Sequence, residues 1–111
     1  MYKLYALWST PEDVKGFEEY YAETHAPLAA AVPGIRRLNL VRTSDGLGDA
    51  PSLHYRIAEL VFDSKDALAE AQRTPEWEAL VADAGHMVER FDVDLRNAGG
   101  DEVEAPITAA A

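Results

Sequence analysis

Residues 2–13, "YKLYALWSTPED", carry a strand and the start of a helix side by side. Tyr2, Leu4, Ala6 and Trp8 alternate with Tyr5 and Leu7, the period-two pattern of an extended segment, and both faces are apolar or aromatic. Then the chemistry changes. Thr10 can cap a helix, Pro11 suits its first position, and Glu12 and Asp13 suit its positive end. The helix is expected from residue 11 to the mid-twenties, with a further turn to residue 32, and Pro33-Gly34 ends it.

Working outward, residues 35–43 read as a second strand, and residues 44–52, with Gly46, Gly48 and Pro51, as a loop. A third strand begins at residue 53 or 54 and runs to 62, and a short helix covers 64–72. Thr74-Pro75-Glu76 repeats the helix-start signal, with Trp77, Leu80, Val81 and Ala84 at helical spacing and Gly85 as the expected stop. A fourth strand is expected from residue 88 or 90 to 95, where Phe91, Val93 and Leu95 alternate with Asp92, Asp94 and Arg96. The expected domain is 1–96. Residues 97–111, rich in Gly, Ala and acid, read as a tail that is disordered or ordered on a partner.

This order predicts an α+β fold: a ferredoxin-like βαββαβ arrangement with a four-stranded antiparallel sheet and helices on one face only. The first and third strands are apolar on both sides and are expected in the centre, with the other two at the edges. A bare apolar sheet face is unusual in a monomer, so a homodimer through that face is expected.

Composition narrows the partners. The 20 acidic residues outnumber 10 basic ones, a formal charge of -10 that repels nucleic acid and anionic membranes. Cysteine is absent, which excludes thiol nucleophiles. The N-terminal stretch does not read as a signal peptide, and no apolar run approaches a membrane span, so a cytoplasmic location is expected. No phosphate loop or dinucleotide fingerprint occurs, and no cofactor is expected.

One titratable group stands out. In "THAPL", residues 24–28, an imidazole precedes an Ala-Pro step inside a helical segment. At about 100° per residue, Val14, Phe17, Tyr21 and Leu28 fall within about 60° of one another, and His25 lies about 20° from Val14. His25 therefore points at the sheet. Pro27 lacks an N–H and disfavours helical angles at Ala26, so the helix is expected to kink or restart there and leave room beside the ring. A buried histidine in a polar gap suits proton transfer; the plainer reading is an imidazole satisfied by a carbonyl.

At this point the chain resembles a known family. "FEEYYAETHAPLAAAVPGIRRL" (residues 17–38) is similar to the His-x-Pro-Leu and Pro-Gly-Ile-Arg-Arg pattern of the EthD family, named for ethyl tert-butyl ether degradation. "IAELVFDSKDALAEA" (residues 57–71) is similar to its Ala-Glu-Leu-x-Phe-Asp-Ser signature. Asn39-Leu40, His86 and Met87 depart from that pattern. The resemblance implies the same fold, a dimer whose two sheets close into a dimeric α/β barrel, and a pocket lined by His25. It also implies kinship with lactone isomerases, polyketide cyclases, decarboxylases and cofactor-free monooxygenases.

Other residues carry candidate roles. Glu59, in a central strand, is expected to pair with Arg37 or Arg42, or else to orient His25 or a substrate. His86 is read as a helix-end charge that could reach a pocket mouth. Trp8, Tyr5, Tyr21, Trp77 and Phe91 are candidate pocket walls whose plainer role is core packing. No metal site is expected, because the histidines lack ligand spacing. The expected function is cofactor-independent acid–base chemistry on a small hydrophobic cyclic or aromatic molecule, by isomerisation, cyclisation, dehydration or oxidation. The alternative is a dimer that binds such a molecule without reacting.

Overall fold

The computed structural model describes residues 1–110. Its elements follow in the order β1 (Tyr2–Trp8), α1 (Val14–Tyr20), a π-helical turn (Tyr21–His25), α2 (Ala26–Ala30), β2 (Arg37–Arg42), β3 (Arg56–Phe62), α3 (Lys65–Ala71), α4 (Pro75–Phe91) and β4 (Leu95–Asp101). The four strands form one antiparallel sheet in the order β2-β3-β1-β4. The strands that are apolar on both faces, β1 and β3, are the central pair, as expected. This is the ferredoxin-like α+β fold.

Register decides what each face holds. Leu4 lies opposite Leu60 and Ala6 opposite Ala58, and Leu38 and Leu40 of β2 continue these rows. The rows face the helices, where Ala29, Val32, Leu60, Phe62, Leu68 and Leu80 make one buried cluster. A second cluster, Trp8, Phe17, Tyr21, Tyr55, Met87, Phe91 and Val93, closes the other end of the helix–sheet layer. On the outer face Tyr5 lies opposite Glu59 and Leu7 opposite Ile57, all partly exposed, and Val41 is 50% exposed. Among the described residues no helix packs there. Among the described residues no helix is long and apolar enough to cross a membrane.

Local chemistry departs from expectation in four places. The first helix begins at Val14, capped by Asp13 rather than Thr10: the Asp13 carboxylate accepts from the Gly16 N–H at 2.9 Å. Nor does the helix break at Pro27. Ala26 keeps helical angles (φ −59°, ψ −42°), and its N–H donates to the carbonyl of Tyr21, five residues back. The missing Pro27 N–H is absorbed by one wide turn in place of a kink. That extra residue moves the buried stripe, so Phe17, Tyr21, His25 and Ala29 recur every four residues and Leu28 is left partly exposed.

Gly85 does not stop α4, which runs on to Phe91 and ends at Asp92 in the left-handed conformation (φ 50°). A mid-helix glycine costs about 0.5–1 kcal/mol relative to alanine. Burial of Met87 and Phe91, two and six residues further on, outweighs that.

The fourth strand is consequently Leu95–Asp101, not a segment ending at 95. Residues 97–101, expected in the tail, pair with β1 from Asn97↔Ala6 to Asp101↔Tyr2. Gly99 belongs there because a Cβ would lie 2.6 Å from the Tyr2 hydroxyl. Residues 102–110 are exposed and without regular structure, and Ala111, also assigned to the tail, lies outside the described residues.

Candidate active site

Between the helix-facing side of the sheet and α4 lies a cavity of about 560 Å³. Its floor is Leu4, Ala6, Ala58, Leu60, Leu38 and Leu40; Trp77, Leu80, Val81, Ala84, Gly85 and Val88 of α4 form the roof. Trp8, Tyr21, His25 and Ala29 close one end, and Gln72, Leu95 and Asn97 complete the lining. No Asp, Glu, Lys or Arg is among the lining residues. Such a space suits an uncharged, largely apolar molecule, since a charged ligand would be desolvated without a partner. Gly85 helps create the room, because a Cβ there would meet nothing within 4 Å.

His25 is 6% exposed and is the one polar side chain in the buried set of the described residues. Trp8 meets its ring edge-on at 5.3 Å, and Tyr21 lies tilted at 5.4 Å. Its Nδ1 is 2.8 Å from an Oδ of Asp83 on α4. The other Asp83 oxygen accepts the hydroxyl of Tyr20. An ionised carboxylate accepts only, so the imidazole contributes its Nδ1–H and leaves the Nε2 lone pair free. Among the described residues Nε2 has no protein partner, and it is not one of the sealed, unpartnered buried atoms. It therefore faces the cavity.

The two tyrosines beside His25 stay protonated. The hydrogen bond to Asp83, assisted by burial, raises the Tyr20 hydroxyl above its usual range. Burial pushes Tyr21 up to about 12, against the lowering effect of Arg56, whose guanidinium lies 4.4 Å from the ring centre. Arg56 is itself held by Glu18 at 2.5 Å.

Of the side chains singled out in the sequence, His25, Trp8, Tyr21 and Trp77 line the cavity. Four others lie elsewhere. Glu59 and Tyr5 are on the outer sheet face, where alternation along β1 and β3 sends them away from the helices. Glu59 bonds Lys3 at 3.2 Å, Tyr5 at 3.1 Å and Asn39 at 2.8 Å, not Arg37 or Arg42. Register places Tyr5 and Asn39 directly opposite it, whereas Arg42 lies opposite Arg56 on the helix side and approaches Glu18 at 3.9 Å. Phe91 packs on Phe17 in the second core cluster, behind the cavity. His86 is exposed on α4 with its ring 5.7 Å from Tyr20, outside the lining.

Asp83, Tyr20, Gln72 and Asn97 were not singled out. Asp83 did carry a signal: it stands three residues after Leu80 and four before Met87, an acid on the inward stripe of α4. Among the described residues no group of three or more His, Asp or Glu side chains is placed to hold a metal ion.

Comparison with known proteins places the chain among relatives. Residues 9–90 match the model of the EthD domain. An uncharacterized 11.0 kDa protein of the thcB–thcC intergenic region of Rhodococcus erythropolis is 30% identical over 86 residues, covering 78% of this chain and 82% of that protein. The crystal structure of an ethyl tert-butyl ether (EthD) family protein from Bacillus halodurans superposes with a TM-score of 0.82 at 35% identity, covering 93% of this chain and 99% of the other. SnoaB, a cofactor-independent oxygenase from Streptomyces nogalater, superposes at 0.60 with 18% identity over 94% of each chain, a likeness of fold.

Proposed function

The chain belongs to the EthD domain family, and on that premise we propose that it is a small cytoplasmic enzyme of cofactor-independent acid–base chemistry. Its substrate is an uncharged, hydrophobic cyclic or aromatic metabolite. The observation that carries this reading is the His25 ring, with Nδ1 on a carboxylate and Nε2 open to a cavity of uncharged side chains. Nε2 takes a proton from an acidic carbon or a phenol, and the imidazolium formed is steadied by Asp83. The same proton is then returned to a different atom of the enolate or phenolate, which yields an isomerised or cyclised product with no net change in protons. Trp8 and Trp77 supply flat apolar walls for a ring, and Tyr21, as a neutral phenol, is a donor for the developing oxyanion.

A specific observation favours a second reading. The lining has no cation to hold an oxyanion, and a cavity of this kind also serves a protein that binds such a molecule without transforming it. One experiment separates the two. 2-Tetralone is a neutral bicyclic ketone with an acidic methylene, and its exchange with solvent deuterium is followed by proton NMR. Acceleration by the protein that disappears in His25→Ala is the expected result. Binding of 2-tetralone without acceleration selects the binding protein, and acceleration that survives in His25→Ala removes His25 as the base.

We further propose that the active assembly is a homodimer joined through the outer sheet face. Tyr5, Leu7, Ile57 and Val41 leave apolar surface there that no helix among the described residues covers.

A further inference from the structure

We infer that Asp83 and Tyr20 form a positioning pair that sets the tautomer and the aim of the His25 imidazole, and that the π-helical turn exists to bring Tyr20 and His25 onto that one carboxylate. The inference rests on the reading of His25 as a base and names what makes it one.

The argument starts from helix geometry. Tyr20 and His25 are five residues apart, and in an α-helix such residues point about 140° away from each other. They could not both reach one side chain on a neighbouring helix. The turn between them is closed by a bond from Ala26 N–H to the Tyr21 carbonyl, five residues apart rather than four. This wider turn carries His25 back round to the side of Tyr20. Both then meet Asp83, whose side chain is 11% exposed.

The carboxylate's partners settle its role. Each of its two oxygens has one donor, the Tyr20 hydroxyl on one and His25 Nδ1 on the other. The charged groups nearby are engaged elsewhere. The Arg90 guanidinium lies 5.1 Å from the Tyr20 ring centre, Arg56 lies over Tyr21 and is bonded to Glu18, and His86 is exposed beside Tyr20. Among the described residues no guanidinium or ammonium forms an ion pair with Asp83. Its charge therefore acts on the imidazole. Tyr20 pins the carboxylate by its far oxygen, and the carboxylate fixes Nδ1–H, which leaves Nε2 unprotonated toward the cavity.

The test reads the imidazole directly. Nitrogen-15 spectra of the uniformly labelled protein, with the His25 ring assigned by His54→Gln and His86→Gln, report which ring nitrogen holds the proton in the neutral form. The Nδ1–H tautomer is expected to dominate in the wild type, and Asp83→Asn to shift the population toward Nε2–H. The 2-tetralone exchange rate is expected to fall at least about tenfold in Asp83→Asn and by less in Tyr20→Phe. Thermal melting checks that each variant is folded. Should Asp83→Asn not fold, the wild-type spectrum and Tyr20→Phe decide alone. A dominant Nε2–H form in the wild type overturns the inference, as does a folded Asp83→Asn that leaves tautomer and rate unchanged. If the wild type shows no exchange, the acid–base reading fails while the spectra still judge the positioning pair.

Discussion

Tyr20 and His25, five positions apart on one helical segment, bond the two oxygens of the same Asp83 carboxylate. That relationship ties the first helix to α4 at the wall of the cavity. It also explains a sequence that looks unfavourable, since Pro27 removes a backbone donor where a wider turn is needed. The proline and the histidine are two parts of one local arrangement.

Alkaline stability reports on Tyr21. Its hydroxyl is raised from 10.0 to about 12 by burial. The folded state therefore holds the phenolic proton where the unfolded chain has released it. Stability is full below pH 10 and falls as pH rises toward 12, by about 2–3 kcal/mol. Urea midpoints at pH 9 and pH 11.5 are expected to differ by more in the wild type than in Tyr21→Phe. Equal differences would show that Tyr21 ionises as freely folded as unfolded.

Gly85→Ala is expected to stabilise the protein by about 0.5–1 kcal/mol, because the position is helical and a Cβ meets no neighbour. The same methyl group enters the cavity lining, so binding of 2-tetralone, followed by tryptophan fluorescence, is expected to weaken. A destabilised variant would contradict the open space beside Gly85.

Truncation distinguishes strand from tail. Removing residues 103–111 deletes no sheet pairing, and the melting temperature is expected to hold. Ending the chain at residue 96 removes most of β4 and exposes the far edge of β1. Loss of cooperative folding, read by circular dichroism, is the expected result, and a shortened chain that melts like the wild type would argue that 97–101 contributes nothing.

Assembly is tested by light scattering after size exclusion. The wild type is expected at twice its 12.2 kDa chain mass, and Leu7→Glu, which puts a charge among the apolar side chains of the outer face, at the monomer mass. A monomeric wild type would remove the proposed interface.

Much of the fold was legible along the chain. Alternation in β1 and β3 marks them as central, and the Thr-Pro-Glu signal at 74–76 marks the start of α4. Such signals are local, because propensity and period act over a few residues. Where long-range packing opposed them, they misled. Gly85 reads as a stop, and the Gly-rich segment after Asn97 reads as a tail; burial of Met87 and Phe91 and pairing with β1 overrode both.

The sequence by itself determined the order of elements, the two-faced central strands, and the Ala-Pro step after His25 that disfavours a regular helix. Each follows from hydrophobic period and backbone stereochemistry, which act within a single segment. Only the tertiary structure decided what that histidine meets. Asp83 stands 58 residues away, and helix packing brings it to 2.8 Å from Nδ1. Glu59, equally plausible as a letter in the chain, is carried by strand alternation to the opposite face. The candidate site rests on one side chain that the π-helical turn aims and one that only packing could deliver.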